Sequence, residues 1–325
     1  MPSPQTLVLH DADNIAVTMR KISQGESVER FDFVANQNIP SGHKIAVRNI
    51  ASGEEIIKYG NVIGVASQNI SFGDHVHTQN VAMTESQRNN VYTNNVREED
   101  TLPITQRSVF QGYKRADGGV GTRNYVGIVT SVNCTASAAK LLVKEAEKSG
   151  ILDQFPGVDG IVPIVHGAGC CIGTNDEAFR KLQRAIWGYA THPNFASVLM
   201  LGLGCESNQI PAMLEAYGRQ QDDAFQYFTL QSEGGTKKSI EKGLIWLETA
   251  LKIANKAVRE PVDVSHLSVA LQCGGSDGYS GITSNPALGH AVDLLVKNGG
   301  TAALAETPEI YGAENLLTNR ASSPE

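Results

Sequence analysis

The sequence predicts two folded parts, a small all-β domain followed by a larger α/β domain with a mostly parallel sheet. The first 85 residues contain short apolar runs separated by Gly, Asn and Pro turns, without a helical period. From about residue 110 onward, apolar strands alternate with segments of helical spacing. Such alternation is typical of a parallel sheet covered by helices on both faces. A length of 325 residues also fits two domains.

The all-β domain is predicted to occupy residues 1–85. Its predicted strands are residues 6–9, 43–47, 56–59, 62–66 and 75–77, with turns at residues 39–42, 60–61 and 73–74. Residues 86–110 contain few apolar positions, so we predict that they form a linker that crosses the surface.

The α/β domain is predicted to occupy residues 111–325. Its predicted strands are residues 125–130, 160–165, 197–203, 225–230, 265–271 and 301–305. Its predicted helices are residues 135–149, 177–190, 239–258, 286–297 and 309–317. Asp176 is the predicted N-cap of the second of these helices, because carboxylates are favoured at that position.

Composition and charge exclude several classes of function. The formal net charge of −7 lacks the basic footprint of a nucleic-acid-binding protein. The N-terminus has no signal-peptide pattern and no apolar run could span a bilayer, so we expect a cytoplasmic protein without a membrane partner. Five cysteines without a CxxC pair argue against a disulfide framework or a zinc ribbon.

Glycine accounts for 32 of the 325 residues, and many of these glycines follow predicted strands beside a cysteine. Cys134, Cys170, Cys205 and Cys273 lie in four such loops. Ligands of parallel α/β sheets bind outside the carboxyl ends of the strands. Because a free cysteine is also a small apolar residue for packing, two interpretations stay open, a lined pocket and plain burial.

The β domain contains a second constellation. His75 and His77 point to the same side of a predicted strand because side chains alternate, and His10 and Asp13 follow the first strand. Two or three imidazoles and a carboxylate could hold a divalent metal with open positions. A polar turn beside two surface histidines explains the same residues without a ligand.

Long stretches of the chain resemble the altronate/galactarate dehydratase family. In the first domain, the stretches similar to the family's SAF (β-clip) domain are residues 10–16, 42–44, 57–60 and 73–77. In the second domain, the similar stretches are residues 112–118, 120–124, 202–209 and 273–286. Residues 75–77 and 307–314 resemble the altronate branch more than the galactarate branch. The resemblance covers nearly all of the chain.

The resemblance implies a hydro-lyase that converts D-altronate into 2-dehydro-3-deoxy-D-gluconate and water. The alternatives are dehydration of galactarate or another aldarate, and a non-catalytic fragment that binds a sugar acid. Family members continue past the position of Glu325, so we expect a further C-terminal portion that this sequence lacks. The expected partners are a sugar acid and, in a homo-oligomer, further copies of the chain.

The resemblance also implies a divalent cofactor, Fe(II) or Mn(II), whereas the roles of single residues are hypotheses from residue type and position. The preferred metal ligands are His10, Asp13, His75 and His77, because imidazole and carboxylate suit both ions. The alternative ligands are the thiolates of Cys134, Cys170, Cys205 and Cys273. The expected catalytic residues are Glu206 and Asp277 as acid or base, together with Lys44. The expected substrate-binding residues are Arg123, Asn133, Gly274, Gly275 and Ser276, and Lys44 is expected to help Arg123 clamp the substrate carboxylate.

Overall fold

The computed structural model describes residues 4–83, 92, 96 and 100–323. The chain divides into two compact units. Unit 1 comprises Met1–Thr101, Ser268–Lys297 and Thr301–Glu325, and unit 2 comprises Leu102–Leu267 and Asn298–Gly300. Twelve of the 25 residues of the linker predicted at residues 86–110 lie outside the described residues. The described end of that stretch contains a 3-10 helix at Ile104–Gln106 and the start of a strand at Val109.

The N-terminal part of unit 1 is all β, as predicted. Its strands are β1 (Thr6–Leu7), β2 (Ile15–Thr18), β3 (Lys44–Ala46), β4 (Glu55–Lys58), β5 (Asn61–Ala66), β6 (His75–Val76) and β7 (Val81–Ala82). They form two antiparallel sheets, in the orders β1-β2-β3-β6 and β4-β5-β7. The strand β2 is absent from the prediction, although all four of its residues are buried.

Two apolar clusters form the core of this β domain. One is centred on Ile15, Ile56 and Val76, and the other on Ile22, Ile39 and Ile45. These six side chains are at most 1 % exposed. The strands are short, so the domain is held by contacts between turns and strands rather than by long ladders.

Unit 2 is built on a parallel sheet. The strands of the unit, which are shared between this sheet and a second one, are β8 (Val109–Lys114), β9 (Val120–Gly121), β10 (Tyr125–Thr130), β11 (Gly160–Ile164), β12 (Phe195–Gly202), β13 (Phe225–Thr229) and β14 (Glu260–Asp263). Four of them pair in parallel in the order β11-β10-β12-β13. The chain leaves β10 for β11 on one side and then crosses to β12 on the other. The order therefore reverses between β10 and β12, and such a switch point opens a crevice outside the strand ends.

Helices cover both faces of this sheet, as predicted. They are α1 (Ala136–Lys148), α2 (Glu177–Ala190), α3 (Ile210–Ala216) and α4 (Thr236–Ala254). One buried cluster joins the sheet to α1 and α4, and a second joins it to α2 and α3. The short helix α3 was not predicted. Asp176 precedes α2 in an extended conformation, at the predicted N-cap position. Its side chain makes no capping hydrogen bond, so the predicted cap is absent.

A three-stranded antiparallel sheet in the order β14-β8-β9 completes unit 2. Sequence patterning did not predict it, and its strand β14 lies about 150 residues along the chain from its partner β8. None of the described helices in either unit is both long and apolar enough to cross a membrane.

The remainder of unit 1 is a small parallel βαβ segment. It contains β15 (Ser268–Leu271), α5 (Ser284–Lys297), β16 (Thr301–Leu304) and α6 (Glu314–Thr318). The strands β15 and β16 pair with each other in parallel. The predicted single domain over residues 111–325 differs from this division, because residues 268–297 and 301–325 belong to the same compact unit as the β domain.

Candidate functional site

Asp13 joins two turns of the β domain. The hairpin turn between β4 and β5 consists of Tyr59 and Gly60, both with positive φ, as a type I′ turn requires. The Oδ1 atom of Asp13 accepts a hydrogen bond from Gly60 N at 2.8 Å. Its Oδ2 atom accepts from His10 N at 3.1 Å and from Leu9 N at 3.3 Å. The buried carboxylate therefore fixes the first turn against the hairpin.

The imidazole of His10 lies against the same hairpin. A Cβ atom at Gly60 would lie 2.9 Å from His10 Nδ1, so only glycine fits beside the ring. Nδ1 accepts a hydrogen bond from Ala12 N at 3.1 Å. A neutral ring whose Nδ1 accepts carries its proton on Nε2, so His10 presents an N–H group there.

Two lysines, Lys44 and Lys58, lie in the same region. Burial lowers the pKa of Lys44. Burial also lowers the pKa of Lys58, and the charge of Lys44 lowers it further, while Asp13 acts in the opposite direction. Asp13 therefore favours the charged form of Lys58, whereas none of the carboxylates that the structure describes offsets the burial of Lys44.

A group of three histidines lies at the end of β3 and β6. The Nδ1 atom of His43 is 2.9 Å from Nε2 of His75. The ring of His77 stacks on that of His43, with the centroids 4.9 Å apart. Burial, the charge of His77 and the charge of Lys44 lower the pKa of His43. Burial and the charges of His43, His77 and Lys44 lower the pKa of His75.

The segment that follows β15 forms a glycine-rich loop, residues 273–281, which we call the glycine loop. Asp277 Oδ1 accepts hydrogen bonds from the backbone N atoms of Tyr279 and Ser280, both at 2.8 Å. The Ser276 hydroxyl lies 3.1 Å from Cys273 Sγ. Asp277 thus closes a turn, so the carboxylate predicted as an acid or base organises the backbone.

Gly274 and Gly275 differ from the other glycines of this loop region. A Cβ atom at either position would meet nothing within 4 Å, and neither φ is in the left-handed region. Neither sterics nor backbone conformation therefore requires glycine here. Close approach of a ligand to the backbone is another reason for glycine.

Unit 2 presents a separate candidate crevice at its switch point. Ser131 follows β10 and donates to Glu206 Oε1 at 2.7 Å. Glu206, only 4 % exposed, also accepts from the backbone N atoms of Leu203 at 3.2 Å and Gly204 at 2.6 Å. These bonds hold the loop after β12, so Glu206, a predicted acid or base, is engaged by backbone donors.

The cysteines that follow β10 and β11 are close neighbours. A hydrogen bond to Cys134 and the charge of Cys134 are the main causes that raise the pKa of Cys170. Both side chains are exposed, as is that of Cys205, so they line the surface instead of packing inside. Cys273 is half-exposed in unit 1 and belongs to a different group.

Two predicted substrate-binding residues lie at exposed positions of unit 2. The backbone N of Arg123 donates to Asn194 Oδ1 at 3.1 Å. The backbone N of Asn133 donates to Ala168 O at 2.9 Å, and its side-chain oxygen lies 3.5 Å from Cys134 Sγ. Their backbones are anchored while their side chains face solvent.

The predicted metal ligands fall into two groups. His10 and Asp13 contact each other and Gly60, whereas His75 and His77 contact His43. Among residues 4–83, 92, 96 and 100–323, no group of three or more His, Cys, Asp or Glu side chains is arranged to hold a metal ion. The predicted ligands are therefore split between two groups and do not form one metal site in this structure.

Sequence reasoning missed His43, Lys58, Tyr59 and Tyr279 as site residues. The ladder between β3 and β6 pairs Lys44 with Val76 and Ile45 with His75, so the next pair would be His43 and His77. The pairing of β3 with β6 places the imidazole of His43 beside those of His75 and His77. The spacing of these residues along the chain does not indicate this contact. Lys58 and Tyr59 could have been found from the unusual Tyr-Gly hairpin turn.

Comparison with protein families gives matches along nearly the whole chain. Residues 4–84 match the altronate/galactarate dehydratase SAF domain. Residues 112–255 match the second domain of D-galactarate dehydratase/altronate hydrolase, and residues 264–325 match the C-terminal domain of D-galactarate/altronate dehydratase.

Individual relatives agree with these matches. Altronate dehydratase of Bacillus subtilis is 35% identical over 98% of this chain and 63% of its own length. Altronate dehydratase of Escherichia coli is 34% identical over 96% of this chain and 62% of its own length. Galactarate dehydratase (L-threo-forming) of Escherichia coli is 35% identical over 100% of this chain and 63% of its own length. The chain thus spans just under two thirds of these relatives, and with matches to three domain models of the family it belongs to the altronate/galactarate dehydratase family.

Proposed function

We propose that the chain dehydrates a sugar acid, with D-altronate as substrate and 2-dehydro-3-deoxy-D-gluconate and water as products. The observation that carries the proposal is the pair of half-buried lysines, Lys44 and Lys58, of which Lys58 interacts with Asp13. Their differing environments are those expected of a base and a carboxylate-binding cation in one site. The relatives named altronate dehydratase support the substrate class.

The reaction needs a proton taken from C2 of a carboxylate that is already negative. In our proposal, Lys58 stays protonated through Asp13 and binds the substrate carboxylate, which stabilises the enediolate that develops on it. Lys44 accepts the C2 proton, because its lowered pKa makes the neutral amine more available. A base with a lowered pKa is the expected match for this step at neutral pH.

The second half of the reaction expels the C3 hydroxyl. The Lys44 ammonium formed in the first step gives its proton to the C3 oxygen, so that the hydroxyl leaves as water, and we assign to the Nε2–H group of His10 a hydrogen bond to that oxygen. The resulting enol then tautomerises to the 2-keto-3-deoxy acid. The electron pair of the C2–H bond forms the C2–C3 double bond, and one proton is taken and one given, so the step is balanced.

Gly274 and Gly275 also keep their predicted role in this proposal, because they offer backbone N–H groups to the sugar acid. Fe(II) or Mn(II) also remains proposed, on the strength of the family resemblance, and its ligands are left to the measurement described below. The five free thiols suit a reducing compartment, which supports a cytoplasmic location.

Galactarate and a non-catalytic binding role are the competing functions. Galactarate is favoured by the relative named galactarate dehydratase, which is 35% identical to this chain, as is the altronate dehydratase of Bacillus subtilis. Incubation of the chain with D-altronate, galactarate and their epimers, followed by detection of the 2-keto-3-deoxy product, separates the substrates. Heat of binding to D-altronate without product would contradict the catalytic proposal and favour the binding role.

A further inference from the structure

Tyr59 occupies a conformation that aromatic residues rarely adopt. Its φ is 57°, in the left-handed region, at the first position of the hairpin turn between β4 and β5. Asn, Asp and Gly are preferred there because a side chain with a bulky Cβ substituent is strained. An observed strained residue that its surroundings hold in place is a reason to look for a function.

The hydroxyl of Tyr59 reaches out of the β domain to the glycine loop, where it donates a hydrogen bond to the carbonyl oxygen of Gly281. Burial and the charge of Asp13 raise the pKa of Tyr59, so the phenol keeps the proton that it donates. A smaller turn residue such as Asn could not make this contact.

A second tyrosine reaches in the opposite direction. Tyr279 of the glycine loop shares a hydrogen bond with the hydroxyl of Ser41, and its own hydroxyl lies 3.4 Å from Met19 O. A Cβ atom at Gly42 would lie 3.4 Å from the ring of Tyr279, and one at Gly278 would lie 2.9 Å from Gly42 O. The loop and the turn at Gly42 therefore meet closely, with glycine on both sides.

The two anchor points flank the lysine pair along the chain. Gly42 lies two residues before Lys44, and Tyr59 directly follows Lys58. We propose that Tyr59 and Tyr279 are positioning residues, a reciprocal tyrosine clamp that holds the glycine loop against the lysine pair. The backbone of Gly274 and Gly275 then forms one wall of the sugar-acid site, which is the part of the inference that rests on the proposed function.

The loop itself can be tested without substrate. Cys273 lies at the start of the glycine loop, and Cys205 of unit 2 serves as an internal reference in the same molecule. We expect Tyr59→Phe and Tyr279→Phe each to speed alkylation of Cys273 by about two- to tenfold, the effect of one lost hydrogen bond. The rate at Cys205 should not change. An unchanged Cys273 rate in both variants would overturn the clamp.

Two further variants exclude general unfolding as the cause. Tyr59→Asn places a residue that the turn favours, so we expect an unchanged or higher melting temperature together with faster alkylation of Cys273. Tyr189→Phe, at an exposed position of α2, is the matched control and should change neither quantity. Faster alkylation that appears only with a lowered melting temperature would overturn the clamp.

The role of the clamp in substrate binding has a separate readout. We expect Tyr59→Phe and Tyr279→Phe to raise KM for D-altronate by about two- to tenfold and to leave the pH profile of kcat unchanged. Unchanged KM in a variant with a loosened loop would overturn the positioning role. If the unaltered chain neither binds nor converts D-altronate, the proposed function fails, whereas the alkylation rates still decide whether the clamp exists.

Discussion

His43 Nδ1 and His75 Nε2 lie 2.9 Å apart, so the two rings share a single proton between them. His77 stacks on His43, and Lys44 adds a further positive charge nearby. Protonation of both rings of the pair would break the hydrogen bond and place two cations in contact. The lowered pKa values of His43 and His75 follow from this arrangement together with burial.

The histidine pair predicts a loss of stability in mild acid. The folded pKa of each ring lies below the ordinary value of 6.5, so the unfolded chain binds more protons below that pH. The free energy of unfolding should therefore fall as the pH drops below 6.5, until the folded pKa is passed. His75→Asn should flatten this dependence in melting temperatures measured at about pH 5.5 and 7.5.

The matched control for His75→Asn is His290→Asn, at an exposed position of α5 outside the histidine group. This control should keep the acid dependence of the unaltered chain. Equal slopes for His75→Asn and the unaltered chain would contradict the account of the pair.

We expect the main role of Glu206 to be stabilisation of the fold rather than proton transfer. Glu206→Gln replaces an acceptor oxygen by an NH₂ group in a buried site that supplies only donors, from Ser131 and the backbone of Leu203 and Gly204. We expect the free energy of unfolding to fall by about 1–3 kcal/mol, measured by denaturant titration. Glu147→Gln, at an exposed position of α1, should change little. Unchanged stability with lost turnover would instead indicate a direct acid or base.

The Cys134–Cys170 contact predicts a change in thiol reactivity. Cys134→Ala removes the hydrogen bond and the charge that raise the pKa of Cys170. The thiolate fraction of Cys170 near pH 8 should therefore increase, and its alkylation should accelerate while that of Cys205 stays constant. A slower or unchanged rate at Cys170 would show that the two thiols do not interact in solution.

Metal content distinguishes the two ligand sets that the sequence left open. The proposal of Fe(II) or Mn(II) predicts that the chain retains metal after incubation with either ion and removal of free ion, and the imidazole set predicts that the double variant His75→Ala, His77→Ala loses it. Elemental analysis gives the stoichiometry, and His290→Ala serves as the control. Full stoichiometry in the double variant would refute the imidazole set. Loss of metal in Cys134→Ala, Cys170→Ala would support the thiolates.

Local patterning predicted most of the fold, because its elements follow from residues near one another in the chain. The helix Glu177–Ala190 and the strand Tyr125–Thr130 have the predicted bounds. The sheet that pairs Glu260–Asp263 with Val109–Lys114 joins segments about 150 residues apart, and no local pattern encodes that pairing.

The candidate site was only partly predictable for the same reason. Lys44, His10 and Asp13 stood out by residue type, and the structure brings His10 and Asp13 into contact. Lys58 joins them through the hairpin, and its environment depends on the fold. Strand pairing also separates His10 from the group of His75 and His77. The sequence does not show this pairing, so it predicted one set of metal ligands where the structure has two separate groups of side chains.

The central claim is that Lys44 takes the C2 proton of a sugar acid, and turnover of D-altronate by Lys44→Met tests it most directly. The amine is replaced by an apolar side chain of similar length, so the fold should be kept, as a melting curve can verify. We predict 2-keto-3-deoxy product from the unaltered chain and a loss of at least about 100-fold in kcat for the variant. Product formation by a folded Lys44→Met variant at the rate of the unaltered chain would contradict the account.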